Sequence, residues 1–246
     1  MMWAVQLGGN LDFLEKLSMN LQAEVLKCFS HGSRYYLIAE KFQHLNIDEV
    51  HDEATKITRM IAGIASINLN LWPPEEIQIL SVAEIDENMC IVKHHAFSDL
   101  NQVSHVRANL NSEQNSLNEV NKWVELAFSS ENVAKVFRLL RSGIDDYVNS
   151  YRIYEIIKHD MTRNEKKSLG FLGVEDSKLE RFKITANRPD LSGDRSRHGI
   201  TTGAASKRKV MTTNEVESFI YEMVYKWLHY KLKNLCEKKP VSYTND

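Results

Sequence analysis

The sequence predicts an α+β protein: a small N-terminal antiparallel α+β sandwich followed by an all-helical C-terminal domain. Three observations predict it. Across the first hundred residues short β-like runs alternate with helical stretches, and beyond about residue 118 the apolar residues recur at helical spacing only. Between the two lies "DLNQVSHVRANLNSEQNSLN", rich in Asn, Ser and Gln and without apolar periodicity. The expected organisation is an α+β domain over 1–98, a polar linker over 99–117 and a helical domain over 118–246.

The elements follow in order. "MWAVQL" is an apolar run closed by Gly8 and Gly9, and Asn10 then caps "NLDFLEKL", where Leu11, Leu14 and Leu17 share a face. "AEVLKCF" and "RYYLIAEKF" flank "SHGS", a hairpin signal. Asp48 can cap the next helix, in which Val50, Ala54, Ile57, Ile61 and Ile64 recur at helical spacing. Past Pro73 and Pro74, "IQILSVAEI" and "MCIVKHHAF" sit either side of "DEN", a second hairpin signal. The order β, α, β, β, α and a final hairpin suits helices on one face of an antiparallel sheet, in the manner of a ferredoxin-like sandwich.

The helical part starts with "LNEVNKWVELAFSS" and "ENVAKVFRLLRSG", the second closing on Arg138, Arg141 and Gly143. "DDYVNSYRIYEIIKHDM" follows, with Tyr147, Tyr151 and Tyr154 on a helix-packing face. "SKLERFKITAN" is a shorter helix starting at Asp176 or Ser177. Thr213 begins a terminal helix whose Val216, Phe219, Ile220, Met223, Val224, Trp227 and Leu228 form a strong stripe.

Composition excludes several classes. Of 246 residues 43% are hydrophobic and 26% charged, a globular balance. The formal net charge of -2 exerts no whole-protein pull on nucleic acid or anionic membrane, so such binding needs a local patch. No apolar run approaches the roughly 20 residues of a membrane span, and the N-terminus lacks a secretory signal, so a cytoplasmic protein is expected. Cys28, Cys90 and Cys236 are far apart and odd in number, which suggests neither disulfides nor zinc. Walker A, G-x-G-x-x-G, H-E-x-x-H, G-x-S-x-G and C-x-x-C patterns are absent, and no cofactor or metal is expected. His94 and His95 adjoin on a strand and point to opposite faces, which does not suit one metal.

One segment concentrates chemistry. "ANRPDLSGDRSRHG" holds Arg188, Arg195, Arg197 and His198, with Gly193 and Gly199 bracketing the charged run. Guanidinium groups take phosphate oxygens bidentately, and an imidazole titrates near neutral pH and can move a proton. The competing reading is a solvated loop whose charge Asp194 offsets locally.

From "YRIYEIIKHD" through "ANRPDLSGDRSRHG" to the "KWL" of the last helix, roughly residues 144 to 230, the chain resembles a group of bacterial proteins and is similar to the HEPN superfamily of all-helical domains. Many HEPN domains are metal-independent ribonucleases of toxin, abortive-infection and other defence systems; others bind RNA or dimerise without catalysis. The resemblance implies His198 as general acid or base on a ribose 2′-hydroxyl, with Arg195 or Arg197 stabilising the phosphate charge. Glu155 or Asp160 stands where an earlier helix supplies a polar residue, and Asn187, Arg188, Lys207 and Arg208 are the expected phosphate- or RNA-binding residues. The nucleases separate their Arg and His by about four to six residues. Here Arg195 and Arg197 are closer to His198 than that, and Arg188 is farther. The partners implied are RNA and a second copy joined through the helical domain. The alternative is a non-enzymatic interaction protein, with the tyrosine- and Trp227-bearing helices as dimer core and the Arg/His loop as structure.

Overall fold

The structure, a computed structural model, describes residues 2–68, 77–96, 117–144, 147–200 and 210–238. Six strands form one antiparallel sheet: β1 (Met2–Gly9), β2 (Gln22–Ala23), β3 (Leu26–His31), β4 (Arg34–Ala39), β5 (Ile77–Ile85) and β6 (Ile91–Ala96), in the order β2-β3-β4-β1-β5-β6. Helix α1 (Leu11–Asn20) connects β1 to the β2–β3–β4 meander, and α2 (Ile47–Asn68) connects β4 to β5. The expected β, α, β, β, α, hairpin order is present with one two-residue strand, β2, added after α1, and β1 is central, with β4 on one side and β5 on the other.

Alternation along the strands gives the sheet two unlike faces. Val5, opposite Leu37 and Val82, forms with Cys28 a fully buried row toward α1 and α2. Each such aliphatic side chain contributes about 1.5–3 kcal/mol by leaving water. On the other face Ala4, Tyr36, Ala83 and Ile85 form a smaller cluster edged by Met2, Phe29, Ile38 and Ile91. His94 and His95 do point to opposite faces: His94 meets Tyr36 and Ser81, whereas His95 meets Trp3 and pairs with Glu84 at 2.8 Å.

Local chemistry sets the helix starts. Asn10 caps α1 by accepting the Phe13 N–H at 3.0 Å. In α1 the inward residues are Phe13, Leu14 and Leu17, while Leu11, expected on that face, is 54% exposed. The α2 cap is Asn46 rather than Asp48: Asn46 and Glu49 exchange side-chain-to-backbone bonds of 2.9 and 3.0 Å, a capping box. The "DEN" hairpin is an Asx turn, with Asp86 accepting from the Asn88 and Cys90 amides.

The chain divides into two units, Met1–Arg141 and Ser142–Asp246. Helices α3 (Leu117–Ser129) and α4 (Glu131–Arg141), expected in the C-terminal helical domain, group with the sheet instead and pack on α2. Their apolar stripes complete the core of the first unit: Trp123, Val124, Val133, Phe137 and Leu140 are buried, and α4 runs so close to α2 that Gly63 touches the Phe137 backbone. Of the expected linker only Leu117 is described, and it opens α3; Pro73 and Pro74 lie outside the described residues.

Among the described residues the second unit holds the helices α5 (Tyr147–His159), α6 (Asp176–Asn187), the single turn α7 (Pro189–Ser192) and α8 (Thr213–Lys238), with shorter turns between them. Thr212 and Glu215 form the capping box that starts α8. All seven residues of the predicted α8 stripe are buried; α8 packs on α5, whose Tyr147, Ile153, Tyr154 and Ile157 are buried too, and Phe219 meets Phe182 of α6. Trp227, expected at a dimer core, is fully buried inside this unit. No described helix is long and apolar enough to cross a membrane.

Candidate functional site

The Arg/His segment folds back over the end of α6. Arg188 precedes Pro189 and is therefore extended, at φ -114° and ψ 105°, which ends α6; Pro189 then starts α7. Gly193, at φ 61° and ψ -143°, turns the chain in a conformation that favours glycine. The Arg197 amide donates to the Ala186 carbonyl at 2.7 Å, satisfying a terminal acceptor of α6 and fixing the segment's path. Ser192 donates to the Thr185 carbonyl, and the Thr185 hydroxyl accepts the Met211 amide at 2.9 Å, so α6 also anchors the far side of the loop.

The three arginines have three different environments. Arg188 is spent on Asp190 in a bidentate pair of 2.9 and 2.7 Å. Arg195 donates to the Thr213 hydroxyl at 2.7 Å, at the start of α8. Arg197 lies over the Tyr151 ring, 4.2 Å from its centroid, with Nη2 3.4 Å from the Glu155 carboxylate. Tyr151 and Glu155 share a face of α5 because they are four residues apart. The Tyr151 ring is itself held by Phe182, stacked at 6.0 Å, and by Tyr154, edge-on at 5.3 Å. Arg197 therefore rests on a fixed platform.

His198 follows directly and is exposed. Its amide donates to the Ser196 hydroxyl at 3.2 Å, and among the described residues its ring makes no hydrogen bond. Arg197 and Glu155 thus meet over Tyr151 beside the α6 end, and the exposed His198 follows Arg197 in the chain. Asn187 points inward: its amide nitrogen donates to the Lys183 carbonyl at 2.8 Å and its buried oxygen has no partner. Lys207 and Arg208 lie outside the described residues.

Asp160 has a different role from the expected one. It is 1% exposed in the π-turn that ends α5, where it accepts from the Trp227 indole at 3.0 Å and Asn164 at 2.8 Å and pairs with Lys231 at 3.1 Å. Lys231 also bonds Glu165 at 2.8 Å, and Tyr230 donates to the same carboxylate at 3.0 Å. Burial would raise the Glu165 pKa, but the Lys231 and Tyr230 hydrogen bonds outweigh it and leave the group below the usual range. Burial would lower Lys231, yet its bonds to Glu165 and Asp160 leave it above the ordinary lysine value. This cluster ties the α5 end to α8 and leaves Asp160 no free oxygen to offer a substrate beside His198. Apart from Asn164, its partners are 65 to 71 residues apart, so little that is local in the sequence marks it.

Among the described residues no group of three His, Cys, Asp or Glu is placed to hold a metal ion. The first unit carries an open cavity of about 530 Å³ lined by Trp3, Glu24, Lys27, Ile38, Glu40 and Phe42.

Charge divides unevenly between the units. Residues 1–141 hold 12 Lys and Arg against 18 Asp and Glu, whereas 142–246 hold 19 against 15. Within 188–209 alone six Lys and Arg face two Asp, which accounts for the excess of the second unit. No family model, curated protein or solved structure matches the chain. The fold is that of an α+β protein with a helical unit, and the sequence of that unit carries a localised basic segment.

Proposed function

We propose that the protein is a cytoplasmic RNA-binding protein whose helical unit is an HEPN-like domain, with the segment around Arg197 and His198 as its phosphate-contacting surface. The observation that carries this reading is the concentration of positive charge in 188–209 of a chain that is otherwise acidic. A phosphate backbone rewards such a patch through counterion release, independently of sequence. Metal-independent cleavage is the stronger form: His198 moves the proton of a ribose 2′-hydroxyl while Arg197 neutralises charge on the phosphate. Incubating wild type and His198→Ala with total RNA in EDTA tests that form, and equal cleavage by the two sinks it.

A second reading, the helical interaction or dimerisation module, draws support from the Arg188–Asp190 and Arg197–Glu155 pairs, which give two of the arginines internal work. It expects His198→Ala to shift the oligomeric state seen by light scattering and to leave RNA retention unchanged.

A further inference from the structure

Arg197 differs from its neighbours in how it is held. Arg188 and Arg195 spend donors on Asp190 and Thr213, and Arg181 on Glu215 and the Val210 carbonyl. The Arg197 guanidinium makes no hydrogen bond among the described residues. Its position comes from stacking on Tyr151 and from a 3.4 Å approach to Glu155, with its backbone amide anchored on Ala186. Its donors are therefore oriented but unspent. The side chain is 35% exposed and that of Glu155 is 50% exposed, so solvent and solutes reach both.

We propose that Arg197 is a preorganised fork for a phosphate group and that Glu155 is its built-in competitor, a carboxylate that phosphate displaces from the guanidinium. A phosphate oxygen pair matches the fork bidentately, whereas the Glu155 carboxylate approaches at 3.4 Å, too long for a strong bond. Because Tyr151 is clamped between Phe182 and Tyr154, the guanidinium loses little freedom when phosphate arrives, and preorganisation of this kind raises affinity. Glu155 on this view tunes binding and is no proton-transfer residue. The proposal deepens the RNA-binding reading for its natural ligand, since the same chemistry is offered by an RNA phosphodiester and by free phosphate.

Full-length protein is titrated into a short fluorescein-labelled oligouridylate, with fluorescence anisotropy as readout, for wild type, Glu155→Gln, Arg197→Ala and the double variant. Glu155→Gln is expected to tighten binding about two- to fivefold, the worth of a half-exposed ion pair. Arg197→Ala weakens it about tenfold or more, the worth of a bidentate charged contact. In the double variant the Glu155→Gln gain disappears. Loss of affinity or no change in Glu155→Gln overturns the proposal, and so does a gain that persists without Arg197, which would be general electrostatics. Arg197→Lys, which keeps the charge and lacks the fork, replaces Arg197→Ala where circular dichroism shows that the alanine variant is unfolded, and it too must weaken binding. If wild type binds no oligouridylate, the RNA reading falls and pyrophosphate decides the proposal alone. A larger rise in melting temperature with pyrophosphate in Glu155→Gln than in wild type supports it; no rise in either overturns it.

Discussion

Substituting Gly63 by alanine should destabilise the first unit although helix propensity favours the change. A Cβ built on Gly63 lies 2.0 Å from the Phe137 carbonyl oxygen, 2.6 Å from its carbon and 3.0 Å from its Cα. An ordinary carbon–oxygen contact is about 3.3 Å, so α2 and α4 must part by roughly 1 Å, and the obstacle is backbone that no rotamer change can move. A gap of that size forfeits about a quarter to a half of each dispersion contact across the seam. The seam is carried by Val133, Val136, Phe137 and Leu140, all fully buried. Overpacking and lost contact together cost about 3 kcal/mol or more, against a gain of about 1 kcal/mol from replacing glycine in a helix. The net loss of about 2 kcal/mol lowers the melting temperature of a unit this size by roughly 4–8 °C. Urea denaturation followed by circular dichroism measures it, and hydrogen exchange places the loss in 47–68 and 131–141. A Gly63→Ala protein as stable as wild type, or more so, would refute the close approach of the two helices.

Three further outcomes follow from buried groups. Asp160→Ala leaves the Trp227 indole and Lys231 short of an acceptor and should cost about 3 kcal/mol in urea denaturation, at the low end for a broken buried pair because Glu165 still holds Lys231. Glu165 is held below its ordinary pKa, so its contribution is present above the unfolded carboxylate value and lost as pH falls through the folded one. Glu165→Gln should therefore lower the melting temperature at pH 7 and match wild type in strong acid; a gap that is independent of pH contradicts the cluster. Burial pushes the Cys28 thiol up to about 12, so a thiol reagent should label exposed Cys90 in the native protein and reach Cys28 only on unfolding, as peptide mapping would show.

Periodicity made the elements legible. The α8 stripe, the α5 aromatic face, both hairpins and the Asn10 cap all follow from local spacing and side-chain chemistry, and each is present. Grouping was harder to see. The helices α3 and α4 have the same amphipathic pattern as α5 and α8, and nothing in a stripe says which partner it covers; the polar stretch before α3 suggested a boundary where the packing has none. In the Arg/His segment the charges were plain, but their allocation depended on contacts such as Arg195 with Thr213 and Arg197 with Tyr151, which span 18 residues and more. The Tyr151–Glu155 spacing did contain a local signal for a shared face, and reading it with Arg197 required the fold. In sequence a buried carboxylate such as Asp160 and a catalytic one look alike until their neighbours are known.

The most direct test of RNA binding at this segment is the salt dependence of oligouridylate affinity, measured by anisotropy for wild type and for a variant with Arg195 and Arg197 both changed to alanine. Each phosphate contact on a single strand adds about 0.7 to the slope of log affinity against log salt. Wild type should bind with a clear negative slope, and the variant should bind more weakly with a slope shallower by about 0.7 to 1.4. Absence of binding by wild type, or a variant with an unchanged slope, would contradict the assignment of the Arg/His segment as the RNA-contacting surface.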